Sequence, residues 1–142
     1  MSRAVRPLPR PTALSRPFWD GCLEGRLLVQ RCARCARCFF IPSAFCPHCL
    51  GTDYEWVESS GRGRVVTYTV VWRPPTPAFD PPYVVAVVRL EEGYDMFTNI
   101  VDVEPDADPG TSLIGAAVRV RFHRESEDIA LPFFELATEQ QP

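Results

Sequence analysis

The chain has 142 residues, of which 46% are hydrophobic and 23% are charged. This balance is typical of one folded domain, or of two small domains that share a core. No run of eighteen apolar residues occurs, so the sequence predicts no membrane-spanning helix. All 15 basic residues are arginine, which excludes the Schiff-base and phosphate-loop chemistry that depends on lysine.

The net charge of −3 is unevenly distributed along the chain. Residues 1–49 carry eight arginines against Asp20 and Glu24, a balance of +6, whereas residues 50–142 carry seven arginines against sixteen acids, a balance of −9. Such asymmetry is found in proteins with a surface for an anionic partner, but it also arises from solvated arginines. Both interpretations stay open at this point.

The chain begins with a leader, residues 1–14, that is rich in proline and arginine. Proline prevents a helix there, and we expect an extended segment that lies against another surface or is loose. A helix is predicted from Ser15, with Pro17 in its first turn and Gly25 at its end. Its apolar side chains fall at helical spacing on one face, and they are Phe18, Trp19, Cys22 and Leu23.

Two Cys-x-x-Cys pairs follow, Cys32/Cys35 and Cys46/Cys49, with ten residues between them. Two such turns complete a tetrahedron of thiolates around Zn²⁺, and four thiolates leave no position for water or substrate. The pattern therefore predicts a structural zinc site within a region, residues 15–53, that joins the helix to a zinc ribbon. Disulfides are the alternative, but no apolar signal segment precedes the pairs, and we expect a reducing cytoplasm.

The remaining thiols receive separate interpretations. Cys38 follows Cys35 by three residues and offers a competing knuckle, but we interpret it as an unligated thiol beside the metal. Cys22 is predicted to be a small buried apolar group. His48 lies inside the second knuckle and is expected to point away from the metal.

Residues 54–142 are predicted to form a five-stranded oligonucleotide/oligosaccharide-binding (OB) barrel, entered through a connecting strand at 54–58. Turn residues recur every eight to twelve positions, and β-branched or aromatic residues fill the segments between them. A stiff loop with five prolines, residues 73–82, separates the first two barrel strands. The predicted barrel strands are Val65–Trp72, Tyr83–Leu90, Met96–Val103, Val118–His123 and Ile129–Leu136. The fold class is thus mainly β.

Several of these motifs together resemble the DUF35 family, whose members join a rubredoxin-like zinc ribbon to an OB barrel. The resemblance covers residues 16–136, and one departure is Ala36, where many relatives have glycine directly after the second ligand. The motifs that carry it are Phe18-Trp19, Gln30-Arg31-Cys32, Cys46-Pro47-x-Cys49, Gly61-x-Gly63 and Thr98-Asn99-Ile100-Val101.

The resemblance implies a non-catalytic accessory subunit in a hetero-oligomer. Members of the family associate with a thiolase-like or aldolase enzyme, or with a MaoC-like hydratase, in acyl-CoA, steroid side-chain and polyketide-type metabolism. The partner enzyme then supplies the catalytic cysteine and histidine, and the small subunit orders the complex and helps to handle the acyl-CoA thioester.

Two sets of residues are candidates for these contacts. Arginines beside an aromatic ring suit the phosphates and adenine of CoA, although each arginine alone has solvation as its alternative role; the candidates are Arg62, Arg64, Trp72 and Arg73. Apolar side chains on the helix and around the proline loop offer a docking surface for the partner; these are Phe18, Trp19, Phe79 and Tyr83.

No catalytic residue is predicted. The histidines are limited to His48 and His123, no serine nucleophile elbow occurs, and Cys38 is the only thiol that we expect to be exposed and reactive. The functional alternative is a single-stranded nucleic-acid-binding protein that uses aromatic platforms such as Tyr68, Trp72, Phe97 and Phe122. The balance of −9 in the barrel half opposes this alternative, because it repels phosphates.

Overall fold

The computed structural model describes residues 5–105 and 112–137. Residues 1–4 of the leader and 106–111 of the acidic loop lie outside the described residues. Within the described parts of the chain, no helix has the length and apolar character needed to cross a membrane. The elements there are α1 (Arg16–Leu23), β1 (Leu28–Cys32), β2 (Cys38–Phe39), β3 (Tyr54–Glu58), β4 (Arg62–Val71), β5 (Tyr83–Leu90), β6 (Asp95–Val101), β7 (Ala117–Arg124) and β8 (Ala130–Leu136).

The predicted helix is confirmed as α1, and its start is organised by two hydroxyl residues. The Ser15 N–H donates to Thr12 Oγ1 at 3.1 Å, and the Thr12 N–H donates to Ser15 Oγ at 2.9 Å. The helix ends where Gly25 adopts a φ of +75°, a conformation in which glycine has no steric penalty. Phe18 and Cys22 are on its buried face.

The zinc ribbon is built on a three-stranded antiparallel sheet in the order β2-β1-β3. β3 pairs with β1 along its whole length, from Leu28 opposite Glu58 to Cys32 opposite Tyr54. The sequence prediction assigned residues 54–58 to the barrel region as a connecting strand, whereas the structure places them in the ribbon sheet. The backbone passes into the barrel only after this strand.

The other five strands form a closed barrel in the order β4-β5-β6-β8-β7, which confirms the predicted mainly β, OB-type architecture. β5 shows how the sequence builds it, because side chains alternate across a strand. Val84, Ala86, Val88 and Leu90 point into the core, and the residues between them point outward. The same alternation in β6 buries Met96, Thr98 and Ile100.

Gly63 permits the close approach of β4 to β5. A Cβ atom at this position would lie 2.3 Å from the Arg89 carbonyl oxygen and 2.9 Å from its carbonyl carbon. Because both atoms belong to the paired backbone, no side chain rotation relieves the clash. The position therefore requires glycine.

Ribbon and barrel share one continuous hydrophobic core, and α1 lies at their junction. The Phe18 ring of α1 packs 5.2 Å from the Phe40 ring of the ribbon, which in turn lies 6.4 Å from the Tyr94 ring of the barrel. Phe18 is only 3% exposed. The helix therefore acts as a structural bridge between the two parts of the chain.

Candidate metal centre and barrel cleft

The four predicted ligands come together at one end of the ribbon. Their Sγ atoms all lie within 4.8 Å of one another, with 3.5 Å between Cys32 and Cys49 and 3.7 Å between Cys35 and Cys46. A tetrahedral Zn²⁺ with Zn–S bonds of about 2.3 Å requires sulfur–sulfur edges of about 3.8 Å. A disulfide would need about 2.05 Å. The cluster therefore fits zinc and not a pair of disulfides.

Backbone donors around the cluster stabilise thiolates. The N–H groups of Cys35 and Arg34 donate to Cys32 Sγ at 3.4 and 3.3 Å, and the His48 N–H donates to Cys46 Sγ at 3.3 Å. The Cys35 bond is the main reason why the pKa of Cys32 is lowered to about 6. At Cys49 the Gly51 N–H acts in the same direction, but partial burial and the neighbouring thiols raise its pKa to about 11.

Because its pKa is raised, the Cys49 side chain carries a proton at neutral pH when no metal is bound. Zinc binding must therefore displace protons, so its apparent affinity rises with pH. Four thiolates fill the coordination sphere, and no position is left for a substrate. When bound, the metal joins the two knuckles of the ribbon and contributes folding free energy.

The two remaining cysteines are buried outside this cluster. Cys22 packs in the shared core, as predicted. Cys38 begins β2 and also packs in that core, so the expectation of an exposed, reactive thiol is wrong. Burial, reinforced by the nearby Glu92 carboxylate, raises the pKa of Cys38. It is a core residue because β2 turns its side chain toward the barrel rather than toward the metal.

Each zinc knuckle is followed by a residue in the left-handed region. Ala36 follows the first knuckle and Leu50 follows the second, each with a φ of 64°. Glycine adopts this φ without steric cost, whereas any residue with a Cβ atom is strained there. Leu50 is the more unusual of the two because a large side chain is rarely tolerated there.

A second feature is a cleft of about 500 Å³ on the outer face of the barrel. It is bounded by the leader, the proline loop and strands β5, β6 and β8. Its apolar wall is aromatic, formed by Phe79, Tyr83, Phe97 and Phe133, and its polar lining includes Arg6, Asp80, Asn99 and Asp102. The structure thus brings together Phe79 and Tyr83, with ring centroids 6.0 Å apart.

The leader reaches this cleft through Arg6. Its guanidinium lies 5.1 Å from the centre of the Phe79 ring, and its Nη1 donates to Glu125 Oε1 at 3.2 Å. Glu125 also lies 3.4 Å from His123 Nε2, and the His123 ring stacks at 5.8 Å on Phe133. Sequence reasoning missed this cluster because Arg6 is 119 residues from Glu125 and no motif joins them.

The predicted CoA-contacting residues are not brought together. Arg62 and Arg64 lie at the start of β4, whereas Trp72 and Arg73 follow its end. Arg62 pairs with Glu91 at 3.2 Å, and Arg64 Nη1 donates to the Gly115 carbonyl at 3.0 Å. None of the four lines the cleft. A single CoA site made from all four is therefore not present in the described chain.

Of the two helix residues that were predicted to bind a partner, one is buried and the other is partly exposed. Phe18 and Trp19 contact each other edge to face at 4.9 Å. Phe18 belongs to the core and has no free surface, so we remove it from the docking candidates, whereas Trp19 packs against the core and keeps partial exposure.

No catalytic constellation is evident among residues 5–105 and 112–137. The zinc cysteines are the only group of three or more metal-binding side chains that lies within ligand distance there. His48 is exposed on the second knuckle, and His123 contacts Glu125 but none of the six cysteines.

Comparison with known proteins shows that the ribbon and the barrel each match a domain of a known family. The rubredoxin-like zinc ribbon domain of ChsH2 matches residues 19–55, and the C-terminal OB-fold domain of ChsH2 matches residues 56–123. A DUF35 domain-containing scaffold protein of Methanocaldococcus jannaschii is 36% identical over 104 residues, which cover 72% of this chain and 71% of the relative. This chain belongs to the DUF35 family.

Two further similar proteins are described as hydratase alpha subunits. A probable enoyl-CoA hydratase alpha subunit of Thermomonospora curvata is 39% identical over 142 residues, covering 98% of this DUF35 chain and 42% of the relative. The 3-oxo-4,17-pregnadiene-20-carboxyl-CoA hydratase alpha subunit of Mycobacterium tuberculosis is 34% identical over 121 residues, covering 79% and 37%. The chain thus spans about two fifths of the hydratase subunits it matches.

A solved structure described as Ltp2-ChsH2(DUF35) aldolase superposes with a TM-score of 0.79 at 36% identity. The match covers 92% of this DUF35 chain and 100% of the solved chain. A DUF35 protein of unknown function from Sulfolobus solfataricus superposes with a TM-score of 0.60 at 16% identity, which shows the fold alone.

Proposed function

We propose that this DUF35 protein is a non-catalytic accessory subunit that docks on a thiolase-like or aldolase enzyme, or on a MaoC-like hydratase. The hetero-oligomer would process acyl-CoA thioesters of steroid side chains or related lipids. The names of the similar hydratase subunits and of the similar aldolase structure support this assignment. A site held by four thiolates also suits a reducing compartment, and we therefore propose the cytoplasm.

The proposal that the chain is non-catalytic rests on the positions of its six cysteines. Four of the six cysteines fit a closed metal site, and Cys22 and Cys38 are buried in the core. No thiol is left at the surface as a nucleophile, and the cleft on the barrel contains no cysteine or histidine. The reacting groups of an acyl-CoA enzyme would therefore come from the partner.

The chain's own part in acyl-CoA handling is proposed to be limited. Because Arg62 and Arg64 lie at the opposite end of β4 from Trp72 and Arg73, at most one of these pairs contacts a given CoA. Trp72 is largely exposed and is followed directly by Arg73, so this pair suits adenine and one phosphate at the edge of a partner's site. The other phosphates would then bind to the partner.

Co-expression tests the assignment. The chain would be produced with the thiolase-like or aldolase enzyme of its own host, and separately with the MaoC-like hydratase subunits, and each mixture resolved by size-exclusion chromatography. We expect a stable complex with one of them and acyl-CoA turnover only in that complex. Turnover by the pure chain, abolished by a single substitution in it, would contradict the non-catalytic role.

Single-stranded nucleic-acid binding stays the alternative. The cleft places Asp80 and Asp102 beside its aromatic wall, an arrangement that disfavours a phosphate backbone. Filter binding of a short oligothymidylate at low salt separates this alternative from the proposed function.

A further inference from the structure

The zinc ribbon exposes three large apolar side chains within ten residues of sequence. Ile41 is 75% exposed, Phe45 is 49% exposed and Leu50 is 69% exposed. Segment 41–50, here called the ribbon tip, runs from the end of β2 through the second zinc knuckle. Single exposed apolar residues are ordinary, but several on one short, cross-linked segment are typical of an interaction surface.

Leu50 is held at the surface at a cost in backbone energy. Its φ of 64° lies in the left-handed region, where glycine is much less strained. The turn is fixed by the Leu50 N–H, which donates to the Cys46 carbonyl at 2.8 Å, and by the Cys46 N–H, which donates to the Gly51 carbonyl at 2.8 Å. Because most of the side chain is exposed, packing within the chain compensates little for the strain.

The ribbon tip is also rigid before any partner arrives. Gln30, buried at 1% exposure, holds Ser43 by two hydrogen bonds: its Nε2 donates to the Ser43 carbonyl at 2.7 Å, and the Ser43 N–H donates to its Oε1 at 2.8 Å. Zinc would hold the other end of the segment at Cys46 and Cys49. A segment held at both ends loses little conformational entropy on docking.

Positive charge lies beside these apolar residues. Arg34 and Arg37 are exposed on the first knuckle, and neither forms an ion pair with the acids of residues 5–105 and 112–137. Arg34 is next to the second knuckle, since a Cβ atom on Gly51 would lie 3.5 Å from the Cβ of Arg34. The ribbon tip therefore has a cationic side chain, Arg34, beside its apolar residues, and Arg37 adds positive charge on the adjoining first knuckle.

We infer that the ribbon tip is a principal docking surface for the enzyme partner, and that it fits an apolar depression of that protein rimmed by Asp or Glu. This inference rests on the proposed function and adds the surface and its chemistry. A protein is favoured over a nucleic acid because two of the three exposed apolar side chains, Ile41 and Leu50, are aliphatic, which leaves Phe45 as the single ring on which a base could stack. Arg34 and Arg37 would favour association with an acidic surface and make it salt-dependent.

The decisive variant is Leu50→Gly, because it removes the exposed side chain and relieves the left-handed backbone at the same time. Zinc content and thermal stability should be retained or improved, while the Kd for the co-expressed thiolase-like, aldolase or MaoC-like partner should rise at least about tenfold. Ala36→Gly is the matched control, since it relieves the same φ on the other knuckle without removing a large apolar group. Its Kd should remain near that of the unaltered chain.

The charge component is tested with the double substitution Arg34→Glu and Arg37→Glu, which should weaken partner binding by a similar factor and reduce its salt dependence. If the unaltered chain binds its partner and both variants bind it equally well, the inference is overturned while the proposed function stands. If the unaltered chain binds none of these enzymes, the proposed function fails and the inference fails with it. Loss of oligothymidylate binding in these variants, with enzyme binding unchanged, would identify a nucleic-acid surface instead.

Discussion

The carboxylate of Glu92 lies 2.6 Å from the hydroxyl of Ser59, from which it accepts a hydrogen bond. It also accepts a bond from the Ser60 N–H at 2.8 Å. Ser59 and Ser60 connect β3 of the ribbon to β4 of the barrel, and Glu92 is in the turn between β5 and β6. This contact therefore fixes the direction in which the backbone passes from the ribbon into the barrel.

Glu92→Gln should destabilise the fold at neutral pH by about 1 kcal/mol, because a neutral amide replaces a charged acceptor. Burial opposes ionisation of Glu92, but the bonds from Ser59 and Ser60 outweigh it and lower its pKa below the ordinary 4.5. A lowered pKa in the folded state means that the stabilisation is present above pH 4.5 and is lost as the pH falls through the lowered value. Urea unfolding at neutral and acidic pH measures both effects.

Glu91→Gln is the control for this experiment, because Glu91 is in the same turn but makes only an exposed ion pair with Arg62. Equal losses for the two variants at neutral pH would show that the bonds to Ser59 and Ser60 have no special role.

One zinc ion per chain is expected, and Cys46→Ser should abolish its binding and unfold the ribbon, since binding and local folding are coupled. Cys38→Ser is the matched control and should retain full metal content. Metal analysis of the purified variants measures both outcomes. A well-folded chain without metal would refute the site, and loss of zinc in the Cys38 variant would show that the ligand set is misassigned.

Phe18→Ala should lower the free energy of unfolding by about 3 to 5 kcal/mol, because it leaves a cavity at the junction of helix, ribbon and barrel. Trp19→Ala should cost less, since Trp19 only packs against the edge of that core. Denaturant unfolding compares the two variants. A larger loss for Trp19 would mean that the partly exposed ring, and not the buried one, holds the helix in place.

Gly63→Ala should destabilise the barrel by about 1 to 3 kcal/mol, the usual range for overpacking. The reason is that the added methyl group meets the Arg89 backbone. Val66→Ala on the same strand should have a smaller effect, as Val66 is exposed. Thermal unfolding of both variants provides the comparison. An unchanged melting temperature for the Gly63 variant would show that β4 and β5 can separate slightly without loss.

The deletion of residues 1–14 separates two roles of the leader. Arg6 contacts both Phe79 and Glu125, so the shortened chain should be modestly less stable even without a partner. Combined with Trp19→Ala, the deletion should also weaken partner binding if the leader contributes to the interface. Undiminished co-purification and full activity of the complex would restrict the leader to an internal role.

The local features of this protein follow from its sequence. Paired Cys-x-x-Cys turns, alternating apolar residues in β5 and a proline early in α1 each act over a few neighbouring residues, through sulfur geometry, strand pleat and backbone restriction. These short-range causes are sufficient to predict the zinc ligands, the helix and the five barrel strands. The family resemblance added the expected role of an accessory subunit and the kind of enzyme that would be its partner.

Tertiary structure alone decided which of these side chains are free. Phe18 and Cys38 look exposed when their local segments are considered, but both are buried because ribbon, helix and barrel share one core. Arg6 reaches Phe79 and Glu125 only because the closed barrel brings distant segments together. The burial of a side chain depends on its contacts with residues that are far apart in sequence, and neither motif spacing nor composition predicts those contacts.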